Sequence, residues 1–294
     1  MTTGVSTTDI GPPIAATSRQ KHLGVILQLI RTIISHRQLL WQMAKREIRD
    51  RYAGQALGAL WAVGHPIFLM GLYVFVFTYV FPSRAQQLNE DMASSTVTYI
   101  LAGLIPWLTF AESMAKGTGA IVNEAGLVKQ VVFPIEILPV KSVLATCLSQ
   151  VVATGILLVY MAILERRLPW LVLLLPVLFT LQMLMMVGVS YALSSVGVYF
   201  RDMREIVQVF LSAGIFLAPI LYPPALISKI PPTFAMLLAL NPFSHLVWCY
   251  QDVLYNGRVE HPLSWFVIIV LSPIVLYLGY RIFRKLKNMF GEVL

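Results

Sequence analysis

Six long apolar runs set the limits on what this chain can become: residues 57–81, 97–115, 138–164, 168–197, about 205–222 and 263–283. Each is nearly free of charge and long enough to carry a helix across about 30 Å of hydrocarbon. The totals agree: 57% of the residues are apolar and only 12% charged, roughly half the charge of an average soluble protein. So much apolar surface cannot be hidden inside one soluble core, and the bilayer must be the solvent for most of it. The expected class is therefore an all-α polytopic membrane protein. Pro106, Pro176 and Pro219 fall inside three of the runs and are expected to kink their helices.

Residues 1–20 contain no apolar core of a cleavable signal, so they read as a short flexible cytoplasmic tail. In residues 21–36, Leu23, Ile26, Leu27, Ile30, Ile33 and Ile34 recur at helical spacing, with Lys21, Gln28, Arg31, Thr32 and Ser35 mostly opposite. That pattern suits an amphipathic helix lying along the cytoplasmic face of a membrane. The charged stretch Lys45, Arg46, Glu47, Arg49, Asp50 and Arg51 completes a 21–56 segment leading to the first span, and 57–294 forms the transmembrane domain.

The stretch 219–258 differs from the other runs. Pro219, Pro223, Pro224, Pro231, Pro232 and Pro242 cut it into pieces too short to cross, such as 233–240 before Asn241-Pro242. It reads as two short helices that dip into the membrane from outside and return, a re-entrant hairpin over about 223–257 between spans five and six. Counting charge supports this choice. With six spans and both termini inside, only Arg84, Arg166, Arg167, Lys229 and Arg258 of the 22 basic residues lie outside. A full crossing at 233–256 would export Arg281, Arg284, Lys285 and Lys287, against the positive-inside rule. The net charge of +8 is thus a topology signal and not a nucleic-acid footprint.

Catalytic chemistry needs convergent acids, bases or metal ligands. Cys147 and Cys249 are isolated thiols, and His22, His36, His65, His245 and His261 show no metal-ligand spacing. Glu112 and Asp252 are the ionisable residues nearest membrane depth, and neither has an obvious sequence partner. The chain has no G-x-x-x-x-G-K-[ST] run, so any ATP that drives it, with its Mg²⁺, is bound by another polypeptide and this chain binds no cofactor or metal.

Three segments are more specific. The first is Arg51-Tyr52, continuing through Leu57-Gly58 to Leu60-Trp61, where Gly54, Gly58 and Ala62 form a small-residue ladder suited to close helix approach. The second runs from Asn123-Glu124 through Lys129 to Phe133-Pro134-Ile135-Glu136-Ile137-Leu138-Pro139, a proline-stopped lever within a cytoplasmic loop of about 117–137. The third is Asn241-Pro242-Phe243-Ser244-His245, continuing through Tyr250 to Gly257.

With Phe200-Arg201-Asp202, these segments resemble the permease subunits of type-2 ABC exporters, most closely those that export O-antigen, capsule and teichoic-acid polymers. The first is similar to that group's R-Y-x-x-x-x-L-G-x-L-W stretch, the second to its L-x-K-x-x-F-P-x-E-x-L-P loop, and the third to its N-P pattern. Ala53 and Gln55 depart from it, where many members carry a basic and a hydroxyl residue. The resemblance implies a homodimer in a bacterial inner membrane, docked on two separate ATPase subunits. It implies that Glu124, Lys129, Phe133, Pro134 and Glu136 couple the chain to those subunits. It also implies that Asn241 and Pro242 belong to an outer gate.

The residues themselves suggest a route for cargo. Trp61, Phe68, Leu72, Phe75 and Tyr79 fall within about 40° of Trp61 on a helical wheel, with Tyr73, Phe77 and Phe81 opposite. Such a stripe, with Phe210 and Phe216 as weaker companions, suits either weak sliding contacts with sugar faces or the lipid interface. Arg46, Arg49 and Arg51 at the inner mouth suit the phosphate of a lipid-linked glycan, or anionic lipid. Competing readings are a type-2 exporter of drugs or small lipids, a polyprenol-dependent transferase, and a simple channel. Sparse acids and histidines disfavour the transferase, and the cytoplasmic lever disfavours the channel.

Overall fold

The computed structural model describes residues 18–80, 96–130, 134–222 and 231–290, and helices and turns account for all regular structure among them. In chain order the helices are α1 (Ser18–Ser35), α2 (Arg37–Tyr52), α3 (Trp61–Phe75), α4 (Thr96–Gly119), α5 (Ala125–Gln130), α6 (Ile137–Tyr160), α7 (Leu175–Tyr199), α8 (Met203–Gly214), α9 (Pro232–Leu240), α10 (Pro242–Gln251) and α11 (Pro262–Lys287). Four stretches are long and apolar enough to cross a membrane: Thr96–Gly119, Ile137–Glu165, Trp170–Tyr199 and Pro262–Lys287. The shorter apolar α3 is continued to Val80 by a wide turn.

Helix boundaries follow local chemistry. Pro262 opens α11 where a backbone N–H would have no helical partner, and Arg284, Lys285 and Lys287 complement the negative end of the dipole in its last turn. Pro176 opens α7 in the same way instead of kinking it, because the preceding turn has already ended the earlier segment. Asn241 caps α10, its side-chain oxygen accepting from the Phe243 N–H at 3.0 Å.

Two expectations are corrected. The first apolar run does not enter its helix at residue 57. Gly54 and Gly58 adopt positive φ (75° and 48°) in a turn after α2, so no small-residue helix face forms there. The fifth run is helical only to Gly214, against which the Trp107 ring is packed. Beyond it the chain turns through Pro219, and side chains satisfy the freed carbonyls. Asn241 Nδ2 donates to Leu217 O (2.8 Å), Gln251 Nε2 to Pro219 O (3.0 Å) and the Tyr99 hydroxyl to Tyr222 O (2.9 Å). Irregular backbone is tolerated in such surroundings only with partners of this kind.

α4 is the central element, buried along nearly its whole length, with α6, α7, α8 and α10 around it. α7 and α11 share the most extensive contact. They cross where Gly188 and Gly279 meet: a Cβ on Gly279 would collide with the Gly188 carbonyl. Replacing Gly279 with valine is expected to destabilise the bundle by about 1–3 kcal/mol or more. A lowered melting temperature of the detergent-purified protein reads this. Gly155, with open space around its Cβ position, tolerates alanine with no loss.

Candidate functional site

The side chains gather chemistry at the two ends of the bundle. At the first end lie α2, the end of α4, α5, the start of α6, the α7–α8 turn and the last turn of α11. Glu47 of α2 pairs with Lys116 at 3.3 Å and accepts from the Ser142 hydroxyl at 3.2 Å. Arg51, at the end of α2, pairs with Glu112 and donates to Ser149 Oγ at 3.3 Å. Lys116 reaches the same Glu112 oxygen at 3.0 Å. Glu112, which has no obvious partner in the sequence, thus has two cations, one of them delivered by the fold from 61 residues upstream.

The segment after α4 is braced on both sides. Lys141 pairs with Glu124 at 2.5 Å, and Arg204 donates to Asn123 at 3.2 Å. Lys287 pairs with Glu136 at 2.6 Å, while the Tyr191 hydroxyl donates to the Glu136 carbonyl at 2.8 Å. Glu124 and Glu136 therefore spend their charge within the chain. Lys129 on α5 is exposed, Pro134 is half-buried, and Phe133 lies outside the described residues. Between α2 and this segment is a cleft of about 400 Å³ lined by Arg46, Glu47, Lys116, Glu124 and Lys141.

The structure separates the three arginines of α2. Arg51 turns inward to Glu112, whereas Arg46 is exposed beside Asp50 (3.4 Å), and Arg49 is exposed. Trp61, Phe68 and Phe75 of α3 and Tyr79 of its wide-turn continuation form an exposed stripe, with Phe68 67% exposed and Tyr73 turned partly inward. Phe210 of α8 and Phe216 just beyond it are also exposed.

At the other end, Thr98 donates to Glu165 at 2.6 Å, and the α10–α11 connection folds around Asp252. That carboxylate is fully buried and, like Glu112, is partnered after all. It accepts from the His261 backbone N–H (3.1 Å), Trp265 Nε1 (3.1 Å) and Asn256 Nδ2 (3.0 Å), with His261 Nδ1 at 2.9 Å. Burial pushes the Asp252 pKa up, but the His261 and Asn256 contacts outweigh it and hold the group below its ordinary value. Residues 223–230, the start of the expected re-entrant hairpin, lie outside the described residues.

Midway between the ends is a polar node that the sequence reading passed over. Gln182 Nε2 donates to the Pro106 carbonyl (3.1 Å), and Gln182 Oε1 accepts from Gln150 Nε2 (2.9 Å) and the Tyr250 hydroxyl (2.6 Å). Four helices, α4, α6, α7 and α10, meet there. Two glutamines inside otherwise apolar runs were the available signal.

The sequence profile of a family described as "ABC-2 type transporter" matches residues 38–255. An "O-antigen export system permease protein RfbA" of Myxococcus xanthus is 29% identical over 267 residues, covering 91% of this chain and 99% of the relative. A protein of the same description from Klebsiella pneumoniae is 27% identical, covering 87% and 95%. "Polysialic acid transport protein KpsM" of Escherichia coli is 24% identical, covering 81% and 90%.

Asp252 has a depressed pKa when folded, so the stability it adds is fully present above its unfolded pKa of about 4 and is lost as pH falls below that value through the lower folded pKa. The melting temperature of the wild type is expected to drop as pH falls below about 4. D252N starts lower, by about 1–3 kcal/mol, and lacks this component of the drop.

Proposed function

The chain belongs to the ABC-2 type transporter family, and from that premise we propose that it is the permease subunit of an ATP-driven exporter of a lipid-linked polysaccharide. Two copies form the conduit in a bacterial inner membrane, and two separate ATPase subunits bind the nucleotide and its Mg²⁺ and drive the pair from the cytoplasm. The named relatives, permeases for O-antigen and polysialic acid, support the cargo class.

The observation that carries the reading is the braced segment containing α5. A short helix projecting from the inner end would deform under load if left free. Here Glu124–Lys141 ties it to α6 and Glu136–Lys287 ties the loop to the far end of the last span. A push on α5 therefore reaches α4, α6 and α11 together. Lys129, exposed on α5, is the group left to meet the partner subunit. We assign the two bundle ends to opposite sides of the membrane. The end holding Arg201, Arg284, Lys285 and Lys287 is cytoplasmic by the positive-inside rule.

Six crossings follow if two shorter elements also traverse the membrane. Residues 61–80 span about 30 Å as a continuous helical stretch, and α8 continues as the side-chain-clasped turn through Tyr222. Helices α9 and α10 then make the outer re-entrant gate, hinged at Asn241-Pro242. The α3 stripe with Phe210 and Phe216 faces the conduit, giving sugar rings weak contacts along which a polymer slides.

A charge swap tests the brace. Glu136→Lys sets two cations against each other and is expected to abolish polymer at the cell surface, and Lys287→Glu in the same chain restores it. Lys129→Glu is expected to lower ATPase association while the melting temperature stays unchanged. Failure of the swap to restore export, with both chains folded, removes the brace from the mechanism. Topology is read by thiol labelling: a cysteine at Lys285 reacts only from the cytoplasmic side, and one at Arg258 only from outside.

A further inference from the structure

Helix α9 is thinly held. Met236, Leu237 and Leu240 are exposed, Leu238 is buried, and the main neighbour is α10. The last carbonyls of a helix have no partner within it. Here the Ala239 carbonyl accepts from His245 Nε2 of α10 at 2.9 Å. The other ring nitrogen, Nδ1, lies 3.0 Å from the Ser264 hydroxyl in the first turn of α11. One buried imidazole therefore fastens three helices.

The two nitrogens have unequal freedom. A carbonyl oxygen only accepts, so Nε2 carries a proton whatever the charge of the ring. The proton that comes and goes sits on Nδ1. In the neutral ring Nδ1 accepts from the Ser264 hydroxyl, and both nitrogens are satisfied. A second proton reverses that bond and leaves a cation in a buried seat.

The surroundings do not offer that cation an acid. Among the described residues, α9 holds no ionisable side chain and α11 none before Tyr277. Cys249 and Tyr250 of α10 and Tyr99 of α4 are uncharged groups. The carboxylates at this end are engaged elsewhere: Asp252 by His261, Trp265 and Asn256, Glu260 by Arg258 at 2.6 Å, and Glu165 by Thr98. His245 meets the edge of Trp248, with rings 5.4 Å apart and tilted by 70°, and Trp248 lies flat on His261 at 5.4 Å and 7°. The group across the indole is thus a second imidazole. A buried charge without a partner is costly, and the ring escapes that cost by turning out to solvent.

We infer that His245 is an acid-released latch: the neutral ring fastens α9 and α11 to α10, and the ring that has taken up a proton leaves its seat and lets α9 go. That the freed α9 belongs to an outer gate rests on the exporter reading; the latch itself does not. Burial lowers the His245 pKa and His261 adds to this, together outweighing the opposite pull of the Ala239 carbonyl. The stability His245 lends is therefore fully present above its unfolded pKa of about 6.5 and is lost as pH falls below that value through the lower folded pKa. This window lies above the one set by Asp252.

The test is hydrogen–deuterium exchange of the purified full chain in phosphatidylcholine nanodiscs, read on peptides covering Pro232–Leu240 and corrected for the chemical rate at each pH. Exchange in α9 is expected to rise about tenfold between about pH 7.5 and about pH 5.5, while α7 keeps its protection. His245→Gln retains an N–H for the Ala239 carbonyl and takes up no proton, so α9 is expected to stay protected at both values. Its melting temperature is expected to equal the wild type at the higher pH and exceed it at the lower. His245→Lys is expected to leave α9 labile at both. His261→Asn keeps an N–H for Asp252 and is expected to respond in the same direction as the wild type.

A pH response that survives in His245→Gln, or vanishes in His261→Asn, overturns the latch. Polymer at the cell surface tests the gate separately. Wild-type export by His245→Lys, with α9 shown to be labile, removes α9 from the gate and leaves the latch standing. Polymer that persists in cells lacking the chain removes the exporter reading and likewise leaves the latch intact.

Discussion

Polar atoms inside an apolar bundle must find their partners within the chain, because hydrocarbon supplies none. That requirement shapes the structure more than any apolar contact does. The irregular stretch after α8 survives because Tyr99, Asn241 and Gln251 reach its carbonyls from three other places in the sequence. The same demand fastens Gln150, Gln182 and Tyr250 to the backbone of α4 at Pro106. Apolar packing is permissive in lipid, where tails compete as well as leucines do. Directional bonds and glycine crossings select one arrangement from many.

Much of the architecture was legible in hydropathy alone. The runs at 97–115, 138–164, 168–197 and 263–283 correspond to the four long helices within a few residues at each end. The prolines around 219–242 announced two short helices, and Asn241-Pro242 marks the cap between them. What was not legible depends on pairs distant in sequence. Nothing near Glu112 in the run announces Arg51, and Asp252 gains its His261 and Trp265 donors only once the chain folds back into α11. Gly54 and Gly58 mislead for another reason. Spacing of four residues promises a helix face only if the backbone is helical, and positive φ at both breaks it.

The candidate site changed character between sequence and structure. The family resemblance implies that Glu124 and Glu136 couple the chain to an ATPase, and the fold adds a contact that the sequence does not show. In the fold they are internal struts, each opposite a lysine from a spanning helix. Charge in a loop signals solvent, a partner or a brace equally well. Only geometry separates the three, and here it leaves Lys129 as the exposed cation of α5. The three arginines before the first span divide in the same manner, one turned inward and two outward.

The turn between α2 and α3 has a mechanical implication. Helix α2 is bolted to its neighbours by Glu47 and Arg51, while α3 rests against the bundle along one flank only. Gly54 and Gly58, both at positive φ, join the two in a hydrogen-bonded turn, and neither has a neighbour near its Cβ position. A change in the angle between the aromatic helix and the anchored α2 would therefore fall on these two backbone positions, where no side chain resists it.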